Sequence, residues 1–182
     1  MKYDFIIVGS GIIGLTLAYK LKKKFNNSKI LVLEKEKDSI QHGSGRNSGV
    51  IHSGIYYEPG SLRATLGVQG GRELKEYIKE KRLWIDECGK ILVPTSQNSY
   101  ENTEQLYARG IENGVVIKKL SGEQIANLEP NINNKYDIGL HVPFTSIADP
   151  KEVSKSLIGD LIDLGVKIQY HEEVTKIEEE GS

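Results

Sequence analysis

The chain has 182 residues, of which 38% are hydrophobic and 27% are charged, a balance typical of a folded globular protein rather than a disordered one. Its 24 basic and 25 acidic residues nearly cancel, so the sequence lacks the basic excess of nucleic-acid-binding proteins and predicts no such partner. The single cysteine, Cys88, excludes an intramolecular disulfide framework, and we therefore expect a reducing, cytoplasmic compartment.

The first 34 residues predict a strand, a helix and a second strand. Residues 3–8 form an apolar run that ends in glycine, as expected for a strand buried on both faces of a parallel sheet. Residues 12–25 have helical periodicity, and residues 30–33 form the second buried strand. The apolar stripe of the helix is predicted to contain Ile13, Leu17 and Leu21. The uncharged run over residues 5–19 is too short to cross a bilayer, so no transmembrane segment is predicted.

The remaining sequence predicts a mixture of short strands and helices. A helix is expected from Leu62 to Ile78, and a hairpin is expected to turn at Cys88-Gly89. Asp149 and Pro150 form a typical helix start, with the aspartate as N-cap and the proline in the first turn. The other predicted helices cover residues 100–113 and 121–128, and the other predicted strands cover residues 84–87, 90–93, 115–117, 138–142, 166–168 and 174–177.

A glycine motif lies between the first predicted strand and helix. In the sequence Gly9-Ser10-Gly11-Ile12-Ile13-Gly14, the first glycine permits a tight turn, the second allows a diphosphate to approach the backbone, and the third allows close helix–strand packing. The first N–H groups of the helix would bind the diphosphate. Glu34, at the end of the second strand, can accept hydrogen bonds from ribose hydroxyls and would repel a ribose phosphate. Lys35, next to it, is expected to lie in the same dinucleotide site, which can hold FAD or NAD.

The segment Asn47-Ser48-Gly49-Val50-Ile51-His52-Ser53-Gly54-Ile55-Tyr56-Tyr57 makes the prediction more specific. It resembles the flavin-contacting loop of the D-amino-acid-oxidase-like FAD-dependent oxidoreductases, and it is most similar to the L-2-hydroxyglutarate oxidase/dehydrogenase family. The resemblance continues through Pro59-Gly60-Ser61-Leu62, Leu128-Glu129-Pro130 and Ala148-Asp149-Pro150. It implies FAD as the cofactor and a small 2-hydroxy acid as the substrate.

The same resemblance implies roles for particular residues. Ser44, Asn47, Ser48 and Gly49 would lie along the diphosphate, the ribityl chain and the flavin ring, and Val174 would contact adenine through its backbone. L-2-hydroxyglutarate would be oxidised to 2-oxoglutarate by hydride transfer to flavin N5.

His52 is the candidate catalytic residue of the chain. Oxidation of a 2-hydroxy acid requires removal of the alcohol proton, and a histidine suits this step near neutral pH. Tyr56 and Tyr57 are candidates for lining the substrate cavity, although tyrosines at such positions are often packing residues. No cluster of histidine, cysteine and carboxylate residues has the spacing of a metal site, so no metal is predicted.

Together these patterns predict an α/β fold. We expect a Rossmann-like, doubly wound FAD/NAD(P)-binding domain with a parallel sheet. The expected domain assignment is residues 1–82 for the FAD-binding part with its flavin-contacting loop, residues 83–148 for part of an α+β substrate domain, and residues 149–182 for the return to the FAD-binding domain. Members of the resembled family are longer, so the chain is expected to be an N-terminal portion.

Several functional alternatives stay open at this point. The chain can belong to a related oxidase or dehydrogenase acting on an amino acid or on glycerol 3-phosphate, or it can be a non-catalytic FAD-binding fragment that pairs with another polypeptide. A further alternative is a nicotinamide-dependent dehydrogenase, which is supported by the glycine motif and its flanking strands and helix alone. The electron acceptor is either oxygen or a membrane quinone, and peripheral contact with the inner membrane is an alternative to a purely cytoplasmic location.

Overall fold

The computed structural model describes residues 2–133 and 135–179. In chain order, the strands are β1 (Phe5–Val8), β2 (Ile30–Leu33), β3 (Val50–Ile51), β4 (Ile85–Asp86), β5 (Ile91–Leu92), β6 (Lys118–Ser121), β7 (Ile138–His141), β8 (Ser146–Ala148) and β9 (Lys167–Gln169). The helices are α1 (Ile12–Lys24), α2 (Leu62–Glu80), α3 (Gln97–Glu101), α4 (Thr103–Glu112), α5 (Gly122–Leu128) and α6 (Pro150–Asp163).

The chain folds into two compact units. The first combines the chain up to Ser48 with the chain from Asp149 onward, and the second consists of Gly49–Ala148. The division at residue 148 coincides with a predicted domain boundary, whereas the other division lies at residue 48 rather than residue 82. The assignment of residues 49–82 to an FAD-binding domain therefore stays a prediction about function.

The first unit is built on a parallel sheet with the order β1-β2-β9. Phe5 pairs with Ile30, and Leu31 pairs with Lys167. The expectation that the first strand is buried on both faces is wrong, because Ile6 and Val8 are each 58% exposed. Helices α1 and α6 pack against each other, with α1 against β1 and β2 and α6 against β9. Parallel strands joined through helices are the hallmark of the α/β class, so the predicted α/β fold with a parallel sheet is confirmed.

The buried face of α1 differs from the predicted stripe. Leu15 and Ala18 are completely buried, whereas Ile13 is 80% exposed and Leu17 is 48% exposed. Helical periodicity predicted which residues of α1 share an apolar face, but it did not predict which face packs against the sheet. The core of this unit instead includes Leu15, Ala18, Ile30, Val32, Val153, Leu157 and Leu161.

The second unit contains two three-stranded antiparallel sheets, with the orders β3-β8-β4 and β5-β7-β6. The predicted hairpin at Cys88-Gly89 is wrong, because β4 pairs with β8 and β5 pairs with β7. The segment between them is held by distant partners instead: the N–H of Gly89 donates to the carbonyl of Thr145. Ile55, Val115, Ile117, Leu140 and Val142 form the core of this unit.

Other predicted boundaries shift for physical reasons. The helix expected over residues 100–113 is divided into α3 and α4 around Asn102. Val115 and Ile117 are buried as core side chains, and the strand begins at Lys118. Residues 174–177 do not form the expected strand, since in the described chain no neighbouring strand supplies them with hydrogen-bond partners.

Candidate nucleotide site and active site

The glycine-rich loop between β1 and α1 is shaped by close backbone contacts. Gly9 has a φ of +94°, which lies in a region that glycine adopts without strain, and its N–H donates to the carbonyl of Leu33 at 2.8 Å. A Cβ atom on Gly14 would lie 2.0 Å from the carbonyl oxygen of Gly9. Only glycine therefore fits at Gly14, and the loop is held tightly against the ends of β1 and β2.

The carboxylate of Glu34 is buried directly against this loop. Its Oε2 atom accepts two hydrogen bonds of 2.7 Å, one from the N–H and one from the hydroxyl of Ser10. Its Oε1 atom accepts a hydrogen bond from the N–H of Glu36 at 3.0 Å. Ser10 is completely buried and Glu34 is 7% exposed. Glu34 thus fixes the middle of the glycine loop to the end of β2, a contact that the sequence analysis did not predict.

These hydrogen bonds determine the charge of Glu34. Burial raises the pKa of a carboxyl group, but the N–H of Glu36 and the N–H and hydroxyl of Ser10 outweigh burial and hold the pKa of Glu34 below its ordinary value. The side chain is therefore ionised at neutral pH. Each carboxylate oxygen can accept more than one hydrogen bond, so the predicted role of Glu34 toward ribose hydroxyls is compatible with its role in the loop and stays a prediction.

Ser44 and Asn47 lie in the turn that faces the start of α1. The Oγ atom of Ser44, within a 3₁₀ turn over Gly43–Gly45, accepts a hydrogen bond from the N–H of Ile12 at 3.0 Å. A Cβ atom on Gly11 would lie 3.1 Å from the same hydroxyl oxygen. The amide of Asn47 donates to the carbonyl of Ser44 at 2.8 Å. The structure therefore brings two separately predicted parts of the nucleotide site together in one unit.

The start of α1 offers the donors that a diphosphate requires. The first turn of a helix leaves N–H groups without intrahelical acceptors, and within the described chain the N–H groups of Ile13 and Gly14 have no acceptor. Gly11 provides no side-chain cap, and the first turn of α1 contains no acidic residue. These features fit a dinucleotide diphosphate, because its anionic oxygens are stabilised by free N–H groups and by the helix dipole.

The remaining predicted nucleotide residues are more peripheral. Lys35 is exposed, with its ammonium 3.8 Å from the carboxylate of Glu36. Ser48 is exposed, and Gly49 accepts a hydrogen bond from the N–H of Ala148 through its carbonyl at 3.0 Å. Val174 is half-buried outside any strand. Their predicted contacts with a cofactor stay predictions.

The second unit carries the other predicted site residues on one loop. His52 and Tyr56 are exposed, Tyr57 is half-buried, and all three line a small cavity of about 20 Å³. The ring of Tyr57 packs so closely on Gly67 that a Cβ atom there would lie 2.9 Å from it. Tyr57 therefore has a packing role in addition to lining the cavity.

Two further residues line this cavity and were missed by the sequence analysis. The ammonium of Lys90 donates to the hydroxyl of Tyr56 at 3.1 Å. The hydroxyl of Thr145 is buried and has no hydrogen-bond partner within the described chain. Both residues are distant in sequence from His52, and no local pattern marked them.

A buried lysine organises the same unit. Lys75 lies 2.6 Å from a carboxylate oxygen of Glu87, and Lys79 lies 2.9 Å from the other. Hydrogen bonds from these two lysines lower the pKa of Glu87 to about 2. Lys75 also donates to the carbonyl of Phe144 at 3.1 Å, so this cluster joins α2 to the loop that contains Thr145.

Neither a metal-binding cluster nor a membrane-spanning helix is found among the described residues. In residues 2–133 and 135–179, no three histidine, cysteine or acidic side chains lie close enough to hold a metal ion together. The helices found there all fall short of the length or apolar character that a membrane crossing demands.

The chain is similar to curated relatives over most of its own length. It is 47% identical over 163 residues to the mitochondrial L-2-hydroxyglutarate dehydrogenase of Dictyostelium discoideum. The matched stretch covers 88% of this chain and 36% of that protein. It is 40% identical to the human protein of the same name and 36% identical to that of Escherichia coli K12, in each case over 97% of this chain. The chain spans 38% and 42% of those two relatives, or about two fifths of their length.

Solved structures give a consistent result. An L-α-glycerophosphate oxidase from Mycoplasma pneumoniae with FAD bound matches this chain with a TM-score of 0.86 and 33% identity. The match covers 96% of this chain and 46% of the oxidase chain. A glycine oxidase from Geobacillus kaustophilus matches with a TM-score of 0.80 at 18% identity, which supports the fold alone. The family model described as FAD dependent oxidoreductase (DAO) matches residues 4–182. The chain therefore belongs to the DAO family of FAD-dependent oxidoreductases.

Proposed function

We propose that the chain carries the cofactor-binding part of an oxidoreductase that converts L-2-hydroxyglutarate to 2-oxoglutarate. The observation that carries this proposal is the set of relatives at 36–47% identity that are named L-2-hydroxyglutarate dehydrogenase. The alternative of a nicotinamide-dependent enzyme is not proposed, because the matching family uses FAD. The glycine loop supports a dinucleotide cofactor, because its N–H groups can bind a diphosphate. His52 supports oxidation of an alcohol, because a histidine can take up the hydroxyl proton.

In this proposal, the first unit holds the nucleotide end of FAD. The free N–H groups of Ile13 and Gly14 donate to the diphosphate, and Gly11 leaves room for its approach. Glu34 accepts hydrogen bonds from the adenosine ribose while it holds the loop through Ser10. Ser44, Asn47, Ser48, Gly49, Lys35 and Val174 are the further proposed contacts.

The proposed chemistry at His52 is proton transfer. When bound, FAD supplies the acceptor for the hydride that leaves the substrate C2 atom. A ring nitrogen of His52 takes the hydroxyl proton, so that the alcohol becomes a ketone with no charge left on its oxygen. His52 is exposed on its loop, which leaves its ring accessible to a small substrate. Tyr56 and Tyr57 line the cavity beside it and are proposed to contact the substrate.

Anaerobic mixing tests this proposal directly. The full-length protein, purified with its flavin, is mixed without oxygen with L-2-hydroxyglutarate, with glycerol 3-phosphate or with glycine, and the visible flavin absorbance is followed. We expect L-2-hydroxyglutarate alone to bleach the flavin rapidly. Bleaching by another of these compounds but not by L-2-hydroxyglutarate would refute the substrate assignment.

Oxidation of glycerol 3-phosphate is the second candidate function. It is favoured by the structural match to an L-α-glycerophosphate oxidase at 33% identity and a TM-score of 0.86. The identity to proteins named L-2-hydroxyglutarate dehydrogenase reaches 47%, and for this reason we place the hydroxy acid first. The glycerol 3-phosphate arm of the mixing experiment decides between the two.

The electron acceptor and the compartment complete the proposal. We propose a cytoplasmic protein that passes electrons either to oxygen or to a quinone in a membrane that it contacts peripherally. Turnover with L-2-hydroxyglutarate is measured with oxygen and then with a soluble quinone under anaerobic conditions. Hydrogen peroxide formation identifies the first acceptor, and quinone reduction identifies the second.

A further inference from the structure

The small cavity beside His52 is lined by one cationic side chain, Lys90. His52 and Tyr56 lie on one loop, Lys90 directly precedes β5, and Thr145 directly precedes β8. All of these residues belong to the second unit. The cavity thus combines a cation, a phenol and an unpartnered hydroxyl next to the proposed proton acceptor.

Lys90 differs in its partners from three other cationic side chains of this unit that form ion pairs. Lys75 is paired with Glu87, Lys119 with Glu104, and Arg109 with Glu58. Lys90 is half-buried, and within the described chain no carboxylate lies within ion-pair distance of it. A half-buried ammonium without a carboxylate partner can bind an anionic ligand through its remaining N–H donors.

The geometry around Lys90 holds its ammonium in place. The ammonium donates to the Tyr56 hydroxyl at 3.1 Å and lies 4.8 Å from the centre of the Tyr56 ring. A cation over an aromatic ring is attracted by the ring face. Since the Tyr56 oxygen accepts from Lys90, its own O–H stays available to donate to a further acceptor. Lys90 and Tyr56 thus present two donor groups whose heavy atoms are 3.1 Å apart.

We propose that Lys90, assisted by the Tyr56 hydroxyl, binds a carboxylate of the substrate. This inference rests on the proposed function, since it takes the cavity beside His52 as part of the substrate site. A carboxylate supplies the anion that Lys90 lacks, and it can accept from the ammonium through one oxygen and from the phenol through the other. Lys90 is therefore a determinant of acid specificity, distinct from the proton transfer at His52.

A matched set of variants tests this inference in the full-length protein with its flavin. Lys90→Gln removes the charge, Lys90→Arg retains it, and Tyr56→Phe removes only the second donor. Lys119→Gln is the control, because Lys119 also lies over a tyrosine ring, at 4.5 Å, but is paired with Glu104. Bound-flavin absorbance and melting temperature confirm that each variant is folded.

Two readouts separate substrate binding from a purely structural role. The first is KM and kcat for L-2-hydroxyglutarate and for the monocarboxylate 2-hydroxyvalerate. The second is the dissociation constant of glutarate, which has no hydroxyl to oxidise, measured from the change that it causes in the flavin spectrum. Lys90→Gln is expected to raise KM and the glutarate dissociation constant by about ten- to a hundredfold, with a smaller effect on kcat.

Partial recovery in Lys90→Arg and an unchanged Lys119→Gln support carboxylate binding. A loss confined to the dicarboxylates assigns the distal carboxylate, and an equal loss for 2-hydroxyvalerate assigns the carboxylate next to the hydroxyl. Wild-type KM and glutarate affinity in Lys90→Gln would overturn the inference while leaving the proposed function intact. Failure of L-2-hydroxyglutarate to reduce the wild-type flavin would instead overturn the proposed function.

Discussion

Replacing Glu34 by glutamine tests whether its carboxylate holds the glycine loop. The substitution keeps the size of the side chain but puts an NH₂ group where one carboxylate oxygen now lies. The remaining carbonyl oxygen can still accept from Ser10, but the NH₂ group then faces the N–H of Glu36, which donates to the carboxylate at 3.0 Å in the structure. One charge-assisted hydrogen bond is lost, and one partly buried donor, the N–H of Glu36, is left unpaired.

The expected cost follows from these contacts. Loss of a hydrogen bond to a charged group costs about 1.5–3 kcal/mol, and because Glu34 is only 7% exposed, solvent screening reduces this little. We therefore expect Glu34→Gln to lower the free energy of unfolding by about 2 kcal/mol at neutral pH. Urea denaturation of the full-length protein measures this difference. Glu36→Gln is the control, since its carboxylate is partly exposed and makes a surface ion pair with Lys35, and such pairs have small energetic value.

The pH dependence of this difference provides a second test. The folded-state pKa of Glu34 is depressed below its ordinary value of 4.5, so its ionised form stabilises the fold. That contribution is complete above pH 4.5 and is lost as the pH falls through the lowered folded-state pKa. The difference in the free energy of unfolding between wild type and Glu34→Gln should therefore become smaller at acidic pH. Equal stability at neutral pH, or a gap that does not change with pH, would refute the role assigned to this carboxylate.

Three other substitutions, two of them with a matched control variant, have expected outcomes. Gly14→Ala places a Cβ atom 2.0 Å from a loop carbonyl and should abolish flavin retention, measured as bound flavin per protein, whereas Gly159→Ala, with open space around its Cβ position, should retain the flavin fully. Thr145→Val removes an unpartnered buried hydroxyl and should raise the free energy of unfolding by about 1 kcal/mol without substrate. Thr103→Val is the control, because it loses a hydrogen bond to a backbone carbonyl, and it should lower the free energy of unfolding by a similar amount. A less stable Thr145→Val together with a more stable Thr103→Val would contradict the claim that the Thr145 hydroxyl is buried without a partner. His52→Gln should reduce kcat with L-2-hydroxyglutarate by about 10²- to 10⁴-fold at unchanged flavin content, and a wild-type kcat would exclude proton transfer by this residue.

Local sequence patterns predicted the elements whose structure is determined locally. The first strand, helix and second strand match within two residues, because apolar runs, helical spacing and turn residues all lie within the segment. The N-cap at Asp149 with Pro150 in the first turn of α6 is also confirmed. The helix predicted over residues 121–128 is also found, and Ser121 caps it through a reciprocal capping box with Gln124.

Features that depend on distant partners were not predictable in the same way. Two adjacent short strands indicated a hairpin, but each pairs with a strand from residues 138–148, and strand pairing is a long-range choice. The position of Lys90 near the His52 loop likewise depends on tertiary packing. For the nucleotide site, the residue types of the glycine motif and Glu34 were identified from sequence, whereas the bond between Glu34 and Ser10 required the structure.

The most direct measurement for the whole account is the identity of the nucleotide that copurifies with the full-length protein. The protein is denatured, and the released cofactor is identified by its absorption spectrum and by mass spectrometry. We predict FAD in a ratio near one per chain, and its loss in Gly14→Ala. Release of a nicotinamide dinucleotide instead, or retention of FAD by Gly14→Ala at the wild-type level, would contradict the assignment of the glycine loop as an FAD site.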